Sequence, residues 1–504
     1  MVAPAAVFGA DSAWVRVAAG AGYNQHGWWW RRLWGEHYRQ LWALPVTAPV
    51  LRLGQLGLQP VQVGGSFQTN VLHLRTPAGR SLVLRSVDKD LSRSLSAGPL
   101  GAVLHDQTCA APPYGAYVAA ALARAAGVPH TNPRLVYLLP DAALGNFRAR
   151  FRPALYLLEE RPDRGQDYSA RGRQAGVVLG SEQMLTTVLA SPAAHVAARA
   201  YLRARLLDML VGDWSRRADQ WRWAGFVVAG QSEFWAIPRD RDQAFFRFAD
   251  GWLTRALSWV RPRYQTYGAT LAPADVAALT VTARPLDHTV LALLPPAAFR
   301  AEADSLVRRL PAAVLAQALR AVPPEARAPM AQQLLPALRT RLAALPATAA
   351  RYYQVLQAEA VLVGTDAPER YVVAAAGPGR VRVQVWASRP ARPDSLLGQQ
   401  LYDVRRTTRL RIYGLGGNDQ FALRGRLAPG FAVQLYGGAG RNLVLQDDLL
   451  QATGSGLTVY AGPTDLVQVN SSVRVCPAPL APATAAEWIS STYRLGLGQR
   501  RPAQ

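Results

Sequence analysis

The sequence predicts an α+β protein built in successive parts, on three observations. Strand-like segments run from Leu58 to Val87, an Ala/Leu-rich helical texture fills about 270 to 357, and a β-rich, glycine-punctuated stretch with an internal repeat follows Gly364. With 504 residues, 50% hydrophobic and 18% charged, the chain can bury several cores, which excludes wholesale disorder. No apolar run approaches the roughly 18 residues of a membrane span, so no transmembrane helix is predicted. Met1 to Ala10 is apolar but short and lacks a basic leader, so no signal peptide is read. A chain complete as given is then expected in the cytoplasm. Two distant cysteines, Cys109 and Cys476, provide neither a metal-site spacing nor a disulfide framework, and leave the redox compartment open.

Taken in order, residues 1–54 read as an aromatic-rich, loop-like strap, with Trp28-Trp29-Trp30, Trp34, Tyr38 and Trp42 interleaved with arginine. A domain over 55–265 begins with an antiparallel meander: an apolar stretch to Val63, Gly64-Gly65, a strand Asn70 to Arg75, a Pro77-Ala78-Gly79 turn and a strand Ser81 to Val87. Helices are expected over Ala116 to Ala126, closed by Gly127 and Pro129, and over Pro192 to Leu210, with strands at Leu135 to Leu139 and Ala154 to Leu158 between them. Prolines every 10 to 15 positions divide 266–358 into a bundle of short helices.

Within 359–475 the segments Ile412-Tyr413-Gly414, Leu435-Tyr436-Gly437 and Val459-Tyr460-Ala461 recur at spacings of 23 and 24 residues, suggesting solenoid rungs or a regular sandwich. The turn at Gly416 to Phe421 has the look of a calcium-binding β-roll turn. The later copies lack matching acids, so calcium at Asp419 is not expected. Residues 476–504 read as a disordered or loosely packed tail.

The formal charge of +23 suits an anionic partner, but the arginines are scattered and no run of five basic residues occurs, so nucleic acid is not expected. Of the 56 basic residues, Lys89 is the one lysine. A compact, rotatable ammonium at that position, in a chain that otherwise uses arginine, marks a candidate site. Nucleophile-elbow, zinc-protease and Walker signatures are missing, as is a Gly-x-Gly-x-x-Gly turn between strand and helix. Haem, flavin and nicotinamide cofactors therefore find no support.

Three elements remain, in a meaningful order. Gly64 and Gly65 lie between strands, and about 20 residues later comes Leu82 to Lys89, with Arg85 on the strand; such a hairpin lets amides and a cation approach phosphates. Next come Gly212-Asp213-Trp214-Ser215-Arg216-Arg217-Ala218-Asp219-Gln220-Trp221 and, after a short hairpin, Pro238-Arg239-Asp240-Arg241-Asp242. Acids on two loops joined by a hairpin are the arrangement kinases use for a catalytic base and for Mg²⁺.

The motifs Trp34 to Trp42, Leu84 to Asp90, Gly212-Asp213-Trp214 with Asp219 to Trp223, and Pro238 to Phe246 resemble a module of large Gram-negative envelope proteins. In those proteins the module is usually preceded by a calcineurin-like metallophosphoesterase and followed by an outer-membrane β-barrel. More distantly, the same elements are similar to atypical kinases of the spore-coat-protein-H and Golgi casein-kinase type. The resemblance implies a kinase-like two-lobed domain with a helical extension and a C-terminal β-rich domain. It also implies ATP with Mg²⁺ or Mn²⁺ as ligands, partners among phosphoesterase or barrel modules, and residence in the periplasm or at the outer membrane.

Carried over by position, Asp242 with Asp240 or Gln220 would hold the metal, and Lys89 or Arg85 would contact phosphates with Asp106 as the partner acid. Glu159 falls where a hinge meets the base. The module usually reads Gly-Asp-Trp-Asp-Arg-His-Glu-Asp-Gln-Trp, and this chain has Ser215, Arg217 and Ala218 where that pattern has Asp, His and Glu. Ser215 cannot serve as the base, and Asp213 or Asp219 would have to substitute. Loss of a positioned base costs on the order of 10²- to 10⁴-fold, so phosphotransfer is expected to be weak or lost. The alternative is a non-enzymatic structural or interaction module whose acidic loops only form internal ion pairs.

Overall fold

Period-two apolar spacing builds the first sheet: Leu72, Leu74, Leu82, Leu84, Leu138 and Leu158 all turn to one face and share one core. The computed structural model describes residues 13–64, 69–89, 99–168, 174–389, 392–425, 431–447, 456–478 and 481–493. Strands β1 (Trp14–Ala18), β2 (Pro45–Leu51), β3 (Gln59–Gly64), β4 (Val71–Arg75), β5 (Ser81–Ser86), β6 (Arg134–Leu138) and β7 (Ala154–Glu160) form a seven-stranded sheet. Its order is β1-β2-β6-β7-β5-β4-β3, and β2 with β6 is its parallel pair. The meander β3-β4-β5 is antiparallel as the sequence predicts, and Gly79, at φ +76°, makes the turn between β4 and β5. The stretch expected as a loop-like strap instead supplies β1 and β2 to the sheet edge, with α1 (Trp28–Trp34) and α2 (Arg39–Ala43) between them.

Helices α3 (Pro99–Asp106), α4 (Gly115–Ala126), α5 (Ser181–Ala190), α6 (Ala198–Val211) and α7 (Trp252–Val260) follow. Gly127, in the left-handed region, closes α4 where the sequence places its end. The helix expected from Pro192 starts later, at Ala198, because residues 194–196 pair in parallel with a downstream strand. That strand belongs to a four-stranded sheet of β8 (Val177–Gly180), β9 (Ala194–Val196), β10 (Trp221–Val228) and β11 (Gln231–Pro238), ordered β8-β10-β11-β9.

The prolines at 273, 285, 296, 311, 324 and 346 stand at or beside helix starts, where the missing N–H costs nothing. They open or adjoin α8 (Pro273–Thr280), α9 (Arg284–Leu291), α10 (Pro296–Arg309), α11 (Ala312–Ala318), α12 (Pro324–Ala343) and α13 (Leu345–Ala358). One buried cluster runs from Trp42 through Leu122, Leu206 and Leu210 to Leu334 and Tyr352, so packing is continuous across position 266.

The remaining strands are β12 (Glu359–Val363), β13 (Glu369–Ala375), β14 (Arg380–Ala387), β15 (Ser395–Asp403), β16 (Arg409–Tyr413), β17 (Gln420–Arg424), β18 (Ala432–Tyr436), β19 (Leu443–Gln446), β20 (Gly456–Ala461), β21 (Leu466–Gln468) and β22 (Arg474–Pro477). They form two further sheets, ordered β12-β16-β18-β20-β22 and β15-β14-β13-β17-β19-β21. In the first sheet every pair is parallel, with Tyr413 opposite Tyr436 and Tyr436 opposite Tyr460; the three rings stack at 4.5 and 4.6 Å. In the stretch expected as a loose tail, α14 (Ala485–Tyr493) buries Trp488 and Ile489, and the Tyr493 hydroxyl meets the Thr289 hydroxyl at 2.6 Å.

Candidate active site

Two cations on and beyond β5 face two carboxylates on the loop that leaves β11. Arg85 is ion-paired with Asp240, and Lys89 Nζ lies 3.2 Å from Asp242 Oδ2. β5 sits in the interior of the sheet, between β4 and β7, which fixes Arg85 in place. Asp240 adopts φ +61°, a conformation side-chain-bearing residues rarely hold and aspartate tolerates better than most. The side chains of Asp240 and Asp242 remain 31% and 30% exposed, so a ligand can reach both. Burial by itself would raise the Asp240 pKa, but the Arg85 guanidinium and a hydrogen bond from Asp242 outweigh it and hold the carboxyl below its ordinary range. Asp242 shifts the other way, raised by burial and by the negative charge of Asp240.

Beside this pair lies a small pocket of about 20 Å³, lined by Glu159 of β7, Ala116 and Ala120 of α4, His130, Asp240 and Arg241 among others. Glu159 is buried on the strand adjoining β5, opposite Val83. Burial pushes the pKa of His130 down to about 4, so its ring is neutral at pH 7. Gly64 ends β3; a Cβ there would meet the His73 ring 2.6 Å away, so the glycine makes room for that histidine. Gly65 lies outside the described residues.

The loop after α6 is organised for burial rather than access. Gly212, at φ +70°, turns the chain out of the helix, and Asp213 enters a network closed on all sides by arginine. Arg216 pairs with Asp213 and lies 3.1 Å from Asp208; Asp208 also takes Arg205 at 3.1 Å and Arg241 at 3.3 Å, and Arg205 reaches Asp287 at 2.9 Å. Burial raises the Asp213 pKa to about 6, Arg216 opposing and Asp208 adding to the rise. Ser215 is buried, donating its N–H to Asp213 at 3.0 Å and accepting at Oγ from the Gln220 amide at 3.2 Å. The Gln220 carbonyl oxygen accepts from the Arg217 N–H at 3.2 Å, so its amide is committed within its own loop. Asp219 sits about half exposed with Arg217 at 3.0 Å.

The structure thus brings together Arg85, Lys89, Asp240 and Asp242, with Glu159 across the cavity. It places Asp213, Ser215 and Gln220 behind them and Asp219 at the surface. Asp106 is held elsewhere: Arg39 grips both its oxygens at 2.6 Å, the Trp30 indole donates at 2.8 Å and His26 lies 3.2 Å away. Its partner is therefore Arg39 of the N-terminal segment, not Lys89 or Arg85 as the resemblance implied.

Sequence reasoning missed Asp208, Arg205 and Arg241. The signal was available, since Asp208 interrupts the apolar run Leu206 to Val211, and a charge on such a buried helix must be paired.

Among the described residues no group of three or more His, Cys, Asp or Glu side chains gathers as a ready metal cage. Two adjacent carboxylates with access to solvent still suit Mg²⁺, which commonly takes one or two carboxylates and completes its shell with water and phosphate oxygens.

No protein-family model and no curated protein matches the chain. Among solved structures, the chain has a weak likeness to the Helicobacter pylori proinflammatory kinase CtkA. The TM-score is 0.31 at 9% identity, over 61% of this chain and 98% of that one. A second weak likeness is to the Rio2 kinase of Chaetomium thermophilum, solved as an ADP/Mg²⁺-phosphoaspartate complex. There the TM-score is 0.26 at 15% identity, over 57% of this chain and 73% of that one.

Proposed function

We propose that the cleft between β5 and the loop after β11 binds a nucleotide, ATP being the first candidate, with Mg²⁺ or Mn²⁺, and supports weak phosphotransfer or none. The observation that carries this reading is the crossed pair Arg85–Asp240 and Lys89–Asp242: two cations and two reachable carboxylates within one cleft. In the bound state Asp240 and Asp242 would hold the cation, releasing Arg85 and Lys89 to the phosphates. The cation would supply charge neutralisation for the phosphate oxygens. Glu159 would meet the base at the cleft edge, and the end of β3 at Gly64 would approach the phosphates.

Impaired transfer follows from the loop after α6. Asp213 is held by Arg216, Asp219 points to solvent with Arg217, and Ser215 offers only a hydroxyl already bonded to Gln220. No carboxylate of this loop is free to take a proton from an acceptor hydroxyl. We read 55–265 as the kinase-like domain, 266–358 as its helical extension and 359–475 as a solenoid-like appendage. We further propose that the chain works in a bacterial cell envelope beside phosphoesterase or barrel modules, on the motif resemblance alone. Among the described residues no helix is long and apolar enough to cross a membrane.

A second reading is favoured by the same ion pairs: Asp213, Asp219, Asp240 and Asp242 each have an internal cation, as a purely structural module would require. Direct calorimetric titration of ATP with Mg²⁺ into the protein and into its Asp240→Asn, Asp242→Asn form separates the two. Binding that disappears in the variant supports a nucleotide site, whereas no heat in either protein, with the variant destabilised, assigns the acids to structure.

A further inference from the structure

Four of the chain's 14 tryptophans stand in the open on two helices that touch each other. Trp28 and Trp29 of α1 are 57% and 66% exposed, and Trp252 and Trp259 of α7 are 57% and 77% exposed. Tryptophan is normally among the most heavily buried side chains, and Leu257 and Val260 beside these rings are exposed as well. Helix α7 buries Thr254 alone. A nine-residue helix with so little packing is marginal in water and gains stability from whatever covers it.

The start of α7 is nevertheless anchored against α1. At Gly251 a Cβ would come within 2.6 Å of the Leu33 carbonyl, so a glycine is what lets the start of α7 lie against the end of α1. The Asp250 carboxylate next to it accepts the His37 N–H at 2.7 Å.

Charge identifies the occupant. Helices α1 and α7 carry Arg31, Arg32 and Arg255 and no acidic residue, and Arg261 and Arg263 follow directly. Arg255 and Arg261 are exposed and have no ion-pair partner among the described residues, while Arg32 lies over the Trp28 ring at 5.2 Å. The nearby acids are already engaged: Glu36 by Arg31 at 3.1 Å and Asp250 by the His37 N–H. Two copies of this face would set arginine against arginine, which disfavours self-association. Tryptophan rings ringed by arginine match the headgroup zone of an anionic bilayer, where indoles settle at the polar boundary and guanidinium groups meet lipid phosphates.

We propose that the α1–α7 face is a peripheral docking surface for anionic lipid bilayers. It uses none of the cleft residues and stands or falls independently of nucleotide binding.

The test is co-sedimentation of the full chain with vesicles of two parts phosphatidylcholine to one part phosphatidylglycerol, beside vesicles of phosphatidylcholine alone. Sedimentation is expected with the anionic vesicles, accompanied by a blue shift of tryptophan emission. The double variant Trp252→Ser, Trp259→Ser is expected to keep its melting temperature, because both rings are exposed, and to lose the blue shift and most of the binding. The double variant Arg255→Gln, Arg261→Gln is expected to bind on the order of thirtyfold more weakly, at about 1 kcal/mol per basic residue near the surface. Absence of sedimentation overturns the proposal, as does binding that neither variant weakens. A concentration-dependent dimer abolished by the tryptophan variant also overturns it, because the face would then belong to a second copy.

Discussion

Lys89, the one lysine among 56 basic residues, places its ammonium 3.2 Å from the Asp242 carboxylate. The contact joins the end of β5 to the loop after β11, two segments more than 150 positions apart. The neighbouring Arg85–Asp240 pair makes the same connection, so the cleft is closed by two cation–carboxylate contacts that a metal ion and a phosphate chain would both compete for.

Asp106 serves the N-terminal segment through Arg39, and both side chains are buried. Asp106→Ala is expected to destabilise the fold by about 3–5 kcal/mol in urea unfolding, because it strands a buried guanidinium. Any ATP-dependent thermal shift should survive in this variant at conditions where it remains folded. Loss of that shift would return Asp106 to the ligand site.

Asp208 receives Arg205, Arg216 and Arg241. Asp208→Asn should therefore cost about 3–5 kcal/mol, whereas an exposed pair such as Arg217–Asp219 should yield no more than about 1 kcal/mol when Asp219 becomes Asn. Equal effects of the two substitutions would contradict the picture of a closed network behind the cleft.

At Gly251, which precedes α7 and lies against the end of α1, Gly251→Ala is expected to lower the melting temperature by several degrees, as overpacking against backbone costs about 1–3 kcal/mol. Trp252→Ser, on the exposed face of the same helix, should leave it nearly unchanged. A neutral Gly251→Ala would mean the two helices are not locked together.

The pH dependence of stability has a predicted sign. Burial lifts the Asp419 pKa from 3.8 to about 8, with Glu369 and Asp465 adding to the rise. The folded chain then holds that proton more tightly than the unfolded chain. Its contribution is fully present below about pH 4 and is lost as pH climbs through about 8. Asp419→Asn should flatten this decline and raise the melting temperature at pH 8. An amide fits the stack, since Asn442 occupies the corresponding place in the next layer and accepts the Asp419 N–H at 3.0 Å. An unchanged slope in the variant would remove Asp419 as its source.

Much of this was legible in the sequence where local pattern and final packing agree. The β3-β4-β5 meander followed from period-two spacing, and Gly79 and Gly127 fell where a left-handed turn was needed. The tyrosines spaced at 23 and 24 residues lie one above another. What was not legible depends on distant partners. Residues 45–51 read as loop because their strand character comes from pairing with β1 and with β6, more than 80 positions away. Residues 194–196 read as helix because their pairing with β11 outweighs helical spacing. At the site, the order of Arg85, Lys89, Asp240 and Asp242 was visible. The capture of Asp106 by Arg39 was not, because an arginine among so many carries no local mark of its partner.

A thermal-shift titration with ATP, with and without Mg²⁺ or Mn²⁺, probes the proposed nucleotide and metal site between Lys89 and Asp242. The intact chain should gain a metal-dependent stabilisation of about 2.7 kcal/mol at 100 times the Kd, and the Lys89→Ala, Asp242→Ala double variant should gain none. No shift in either protein, or an equal shift in both, would rule out a nucleotide site at Lys89 and Asp242.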